Sequence, residues 1–169
     1  FFLNNEMDDF SSKPGHPNFY GLIGSDANSI QPGKRMLSSM TPSIILKDNK
    51  PSLIVGTPGG STIITSVLQT ILNVYEFDMS VQEAVNAPRF HHQWLPDVVI
   101  FEEGIVDKEK DSILKSKSYF VISLPIEVDA GGMSARSSIG AVDAILINDK
   151  GEVSTGADFR GDDYGEKLK

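Results

Sequence analysis

Cysteine is absent from the chain, which excludes disulfides, thiolate metal sites and a thiol nucleophile. It leaves the compartment open, because secreted bacterial proteins often lack Cys as well. No apolar run approaches the roughly 20 residues needed to span a bilayer as a helix. Runs of Lys or Arg long enough to track phosphates are missing too. With 23 acidic against 15 basic side chains and a formal charge of -8, nucleic acid and anionic membrane surfaces are poor partners. Histidine is scarce, at three residues. His91 and His92 are adjacent and point opposite ways on an extended chain, and no third ligand stands at metal-site spacing, so the pair reads as structural.

What is present suits one soluble domain: 169 residues, 40% apolar and 22% charged, enough to bury a substantial core. Phe1-Phe2-Leu3 resembles neither a signal peptide nor a flexible leader and reads as a strand entered halfway. The expectation is a C-terminal part of something longer. Asn4 to Asp9 is too polar and turn-rich for a core, and it is either a solvated turn or a set of acceptors gathered for a cation. Ser11 to Gly33, rich in Gly and Pro, reads as a long irregular segment, and Phe19 and Tyr20 within it argue for a lid that packs down.

The densest stretch is Leu37 to Ile64. Pro42 to Lys47 and Ser52 to Thr57 read as strands of a hairpin turned by Asp48-Asn49. Thr57-Pro58-Gly59-Gly60 breaks the second strand, Ser61 is the expected N-cap, and Ile63, Ile64, Val67, Leu68, Ile71, Leu72 and Tyr75 recur at helical spacing. Ser80-Val81-Gln82-Glu83 matches a capping box and opens a short helix stopped by Pro88. Arg89 to Pro96 reads as irregular. Strand, helix and strand are expected over Val98 to Glu102, Asp107 to Lys117 and Tyr119 to Leu124. After a loop at Asp129 to Gly132, a long strand over Ile139 to Ile147 turns at Asn148 to Gly151 into Glu152 to Ala157. The tail from Asp158 to Lys169 is charged and Gly-bearing and reads as frayed at its end. Hairpin-linked antiparallel strands with inserted helices predict an α+β layered fold.

Three features carry chemistry of opposite kinds. Glu6 and Asp9 suit an ammonium group, and Ser38 and Ser39 donate to a carboxylate. Gly59 and Gly60 let backbone N–H groups approach an oxyanion at the positive end of the following helix. An amino acid offers an ammonium and a carboxylate on one carbon, and acyl transfer from it creates an oxyanion. Each feature also has a plain reading, as a solvated turn, a loop or cap, and a strand-to-helix turn.

In order and spacing, NNEMDDFSSKPG, PGKRMLSSMTPSII, GTPGGSTIITSVLQ and EAVNAPRFHHQWLPD resemble the small subunit of the γ-glutamyltranspeptidases, N-terminal-nucleophile hydrolases. The likeness runs from Leu3 to about Tyr164 and implies part of an αββα sandwich. It also implies that Glu6 and Asp9 bind the substrate α-ammonium, Ser38 and Ser39 its α-carboxylate, and that the Gly59 and Gly60 amides form the oxyanion hole. Pro14 to Ser25, with Tyr20, would be the pocket lid. The resemblance implies γ-glutamyl amides such as glutathione as substrates and no metal or organic cofactor. A large subunit, which supplies an Arg, and the upstream part of the small subunit would be partners, in a periplasmic or secreted location.

The family's nucleophile is an N-terminal Thr released by self-cleavage, and its counterpart is expected upstream of Phe1. Thr41, Thr57 and Ser61 lie near the motifs without a neighbouring base, so catalysis by this chain alone is not expected. A non-catalytic binding or scaffold module and a cephalosporin-acylase-like hydrolase stay open as alternatives, as does self-association through apolar faces.

Overall fold

The computed structural model describes residues 7–125 and 139–166. The expected strand at 1–3, Glu6, the loop at 129–132 and the end of the tail at 167–169 lie outside the described residues. Along the chain run β1 (Ser43–Lys47), β2 (Lys50–Gly56), α1 (Ile63–Tyr75), α2 (Val81–Asn86) and β3 (Phe90–Gln93), then β4 (Val98–Glu102), α3 (Lys108–Ser116), β5 (Val121–Leu124), β6 (Asp143–Ile147) and β7 (Val153–Gly156).

The fold is α+β, with two sheets among the described residues. The larger has the order β1-β2-β6-β7 and is antiparallel throughout. Its first hairpin turns at Asp48 and Asn49, with φ of 50° and 60°. That left-handed pair matches the twist of the flanking strands, and Asp and Asn tolerate it better than other side chains. The smaller sheet has the order β3-β4-β5. Here β3 pairs antiparallel with β4, while β5 runs parallel to β4. A parallel neighbour needs a crossover, which α3 supplies, so this one pair departs from the antiparallel pattern for a covalent reason.

Helices α1 and α2 lie against the larger sheet, and their side chains meet Leu53, Val55, Val142 and Ala144 in one core. The helical period expected for α1 is present, but the buried stripe is Ile63, Ser66, Val67, Thr70 and Val74, while Ile64 and Leu68 face outward at 65% and 52% exposure. Two hydroxyls enter the core because each finds a carbonyl: Thr70 donates to Ser66 O at 2.9 Å and Ser66 to Ile139 O at 3.3 Å.

Three local expectations change. Ser61 is not an N-cap: it sits in a 3-10 turn over Gly60–Thr62, and α1 starts without a side-chain cap. Arg89 to Pro96 is not wholly irregular, since Phe90–Gln93 is strand β3, completed by pairing with β4 rather than by local propensity. The strand expected from Ile139 begins only at Asp143, because 139–142 is held by side chains instead of by a sheet partner. The capping box at α2 is as expected, with Ser80 N donating to Glu83 Oε2 at 2.9 Å and Glu83 N to Ser80 Oγ at 3.3 Å. These bonds hold the Glu83 carboxyl below its ordinary range.

Candidate functional site

The site begins where β2 ends. Gly59 and Gly60 have φ of 142° and 56°, conformations that side chains resist. They reverse the chain into the 3-10 turn, where Thr62 N and Thr62 Oγ1 both donate to Gly59 O, at 3.1 and 2.9 Å. Among the described residues neither the Gly59 nor the Gly60 N–H donates a hydrogen bond. Two amides are thus left at the start of a 13-residue helix, where the helix dipole favours negative charge. A side chain on Gly60 would collide with the Tyr20 ring, so the irregular segment folds back and lays this aromatic over the turn.

The same segment walls a cavity of about 150 Å³ shared by Asp9, Ser39, Asn18, Leu22 and Asn28. The acidic loop and the hydroxyl loop are far apart in sequence, and Asn28 joins them: its Nδ2 donates to Asp9 O at 2.7 Å and its Oδ1 accepts from Leu37 N at 3.0 Å. Asp9 and Ser39 are therefore brought together. Ser38 is exposed and does not line the cavity, and neither do Tyr20, Gly59 or Gly60; cavity and turn are linked through the chain itself, since the lining residues Asn18 and Leu22 flank the Tyr20 that covers Gly60.

Behind the turn lies a device the sequence did not announce. A Cβ on Gly59 would stand 3.3 Å from Gly140 Cα, so the 139–142 segment backs the turn directly. That segment is pinned from several sides. Ala141 N donates to Thr57 Oγ1 at 2.9 Å, Ile139 N to Glu102 at 3.2 Å and Val142 N to Asp158 at 2.7 Å, and Arg89 Nη1 donates to Ile139 O at 2.9 Å. The four charged groups here, Arg89, Glu102, Asp158 and Arg160, are almost wholly buried. They pair as Arg89–Asp158 at 2.6 Å, Arg160–Glu102 at 2.6 Å and Arg160–Asp158 at 2.9 Å. Burial lowers the Arg89 guanidinium against the pull of Asp158. At Asp158 burial acts upward, but Arg89 and the Val142 and Arg160 amides outweigh it and leave the carboxyl below its ordinary value.

The charged tail is thus anchored at its start, where Asp158 and Arg160 are only 1% exposed. The same arrangement also accounts for Thr57, whose hydroxyl donates to Pro58 O at 2.7 Å and accepts from Ala141 N, which is structural work. Local signals for the cluster are thin: an Arg directly after Pro88, and an Asp-Phe-Arg run following β7. His91 is buried and held by Thr65 and Gln93, while His92 faces out toward Asp97. The two rings therefore point opposite ways, and among the described residues no group of three potential ligands converges.

Comparison with known proteins shows what the chain is similar to. The gamma-glutamyltranspeptidase family profile matches residues 1–168. The glutathione hydrolase proenzyme of Escherichia coli K12 is 45% identical over 158 residues, covering 94% of this chain and 25% of that protein. The chain thus spans about a quarter of that curated relative. Among solved structures, the γ-glutamyltranspeptidase of Pseudomonas nitroreducens complexed with L-DON is 44% identical with a TM-score of 0.82, covering 100% of this chain and 82% of that one. The T380A mutant of the Helicobacter pylori enzyme is 47% identical with a TM-score of 0.80, covering 95% of this chain and 81% of that one.

Proposed function

The chain belongs to the γ-glutamyltranspeptidase family, and on that premise we propose that it carries the glutamyl-recognition and oxyanion-stabilising part of an enzyme that transfers or hydrolyses γ-glutamyl groups. The observation that supports this most is the cavity shared by Asp9 and Ser39, whose lid segment also lays Tyr20 over Gly60. A carboxylate and a hydroxyl on residues lining one small space suit the two ends of an α-amino acid, and the segment that walls this space also covers a turn whose Gly59 and Gly60 amides donate no hydrogen bond among the described residues.

On this reading Asp9, together with Glu6, takes the substrate ammonium, and Ser39 and Ser38 take its α-carboxylate. A Thr hydroxyl outside residues 1–169 attacks the γ-carbonyl of glutathione or a related amide, with its own α-amino group accepting the proton. The carbonyl oxygen becomes an oxyanion held by the Gly59 and Gly60 N–H groups. Collapse expels the amine, protonated by the same base, and the γ-glutamyl ester passes to water or to an amino acid. We read residues 1–169 as one domain, the C-terminal portion of a small subunit. A large subunit and the upstream part of the small subunit complete the enzyme, in a periplasmic or secreted location. The cephalosporin-acylase alternative gains nothing from Asp9, because an acyl group without an ammonium has no use for a carboxylate there.

The test is release of chromophore from a γ-glutamyl anilide by the whole protein, with Asp9→Lys as its partner experiment. Turnover that is lost on charge reversal, together with glutamate affinity, supports the assignment. A whole protein that leaves the anilide intact would sink the activity, and unchanged affinity in Asp9→Lys would move the ammonium site elsewhere.

A further inference from the structure

The lid is tied to the rest of the molecule through a side chain with no role in the chemistry above. Gln93, at the end of β3, donates from Nε2 to Tyr20 O at 3.3 Å and to Leu95 O at 2.6 Å. The neighbouring Gly21 seats its backbone on the same turn: a Cβ there would touch Pro96 Cδ at 3.4 Å and Gln93 Nε2 at 3.8 Å. Two carbonyls on the nitrogen fix the amide orientation, so Gln93 Oε1 must accept, and it accepts from His91 Nε2 at 2.8 Å. His91 is 5% exposed, and its other nitrogen meets Thr65 Oγ1 at 2.9 Å. The same Thr65 hydroxyl reaches Thr62 O at 3.0 Å, so it ties the ring to the start of α1.

Thr65 stands in the first turn of α1, just past the Gly59-Gly60 turn. Strand β3 is fastened to the same helix a second time, by Gln69, whose Nε2 donates to Phe90 O at 2.8 Å and whose Oε1 accepts from Phe90 N at 3.0 Å. An unbroken path therefore runs from the helix behind the oxyanion turn to the backbone of the residue that roofs it.

We propose that Gln93 is the latch of the lid and that His91 sets the latch, so that Thr65, His91 and Gln93 register Tyr20 to the Gly59-Gly60 turn. These are positioning residues, and the inference rests on the functional reading above only for its kinetic consequence. Opening the latch loosens the lid without altering the groups that bind or stabilise.

The experiment uses the whole protein and two readouts. Chymotrypsin cleaves after Phe19, Tyr20 and Leu22, so its nicking rate reports lid opening whether or not the protein turns over substrate. The KM and kcat for a γ-glutamyl anilide report the kinetic consequence. Gln93→Leu and Gln93→Glu each lose the donors to Tyr20 O and Leu95 O. Both should raise nicking and KM about tenfold, the loss of one to two hydrogen bonds, with kcat nearly unchanged. Gln93→Glu keeps the shape, so it serves if the Leu variant fails to fold. His91→Gln returns an N–H near the Nε2 position and should stay close to wild type, whereas His91→Asn returns one only near Nδ1 and should resemble the Gln93 variants. Nicking unchanged in Gln93→Glu overturns the latch, and equal behaviour of the two His91 variants overturns the relay. A protein inactive on the anilide that still shows the nicking pattern would remove the functional reading and leave the latch standing.

Discussion

Changing Glu102 to Gln is the sharpest probe of what holds the Gly59-Gly60 turn in place. The Glu102 carboxylate accepts four hydrogen bonds: from Arg160 Nε at 2.9 Å, Arg160 Nη2 at 2.6 Å, Arg89 N at 2.8 Å and Ile139 N at 3.2 Å. An amide keeps one accepting oxygen and turns the other position into a donor, so two of the four bonds are lost. At about 1.5–3 kcal/mol for each hydrogen bond to a charged group, the loss is about 3–6 kcal/mol. Charge gives a similar figure, because two guanidinium groups and two carboxylates cancel, and removing one leaves a buried cation uncompensated at about 3–5 kcal/mol. Urea unfolding of the whole protein should therefore show E102Q destabilised by about 3–5 kcal/mol. The control is Lys47→Ala, which breaks an ion pair to Asp149 whose side chains are 55% and 76% exposed and should leave the midpoint in place. An E102Q protein within about 1 kcal/mol of wild type would refute the claim that this cluster pins residues 139–142.

Two further outcomes follow from the same geometry. The Asp158 carboxyl is held below its ordinary value of 3.8, so its contribution is fully present above that value and is lost as the pH falls through the lower folded pKa. A pH series of unfolding should show an acid limb below about pH 4 that shrinks in Asp158→Asn, and an identical limb in both proteins would exclude Asp158 as its source. Asn28→Leu removes both bonds joining the Asp9 and Ser39 loops and should weaken glutamate binding about tenfold by calorimetric titration. Unchanged affinity would show that the two loops are aligned by something other than Asn28.

Where a rule is local, the sequence carried it. Asp48-Asn49 specified a hairpin because its two side chains tolerate left-handed backbone, and Ser80 with Glu83 specified a helix start because the two satisfy each other within four residues. The period of α1 was legible, but not which face turns inward: Ser66 and Thr70 outrank Leu68 only once Ile139 O and the sheet are in place. Strand β3 was hidden for a related reason, since Phe90 to Gln93 becomes a strand through β4 and through Gln69, neither of which is a neighbour in sequence. Of the candidate site, Asp9, Ser39 and the glycines stand out by residue type, whereas Asn28 and Gln93 matter only through the loops they bridge. Arg89 and Asp158 are separated by 69 positions. A buried ion pair at that range has no local signature.

That separation also sets an order of events in time. Arg89 and Glu102 leave the ribosome well before Asp158 and Arg160, and until those two arrive each of the earlier residues lacks the ion-pair partner it is buried with. The glycine turn can form its backbone early, but its backing strip at 139–142 cannot lock until residue 160 has been made. The glycine turn would thus be among the last parts of residues 1–169 to become rigid during synthesis, although its own residues are made early.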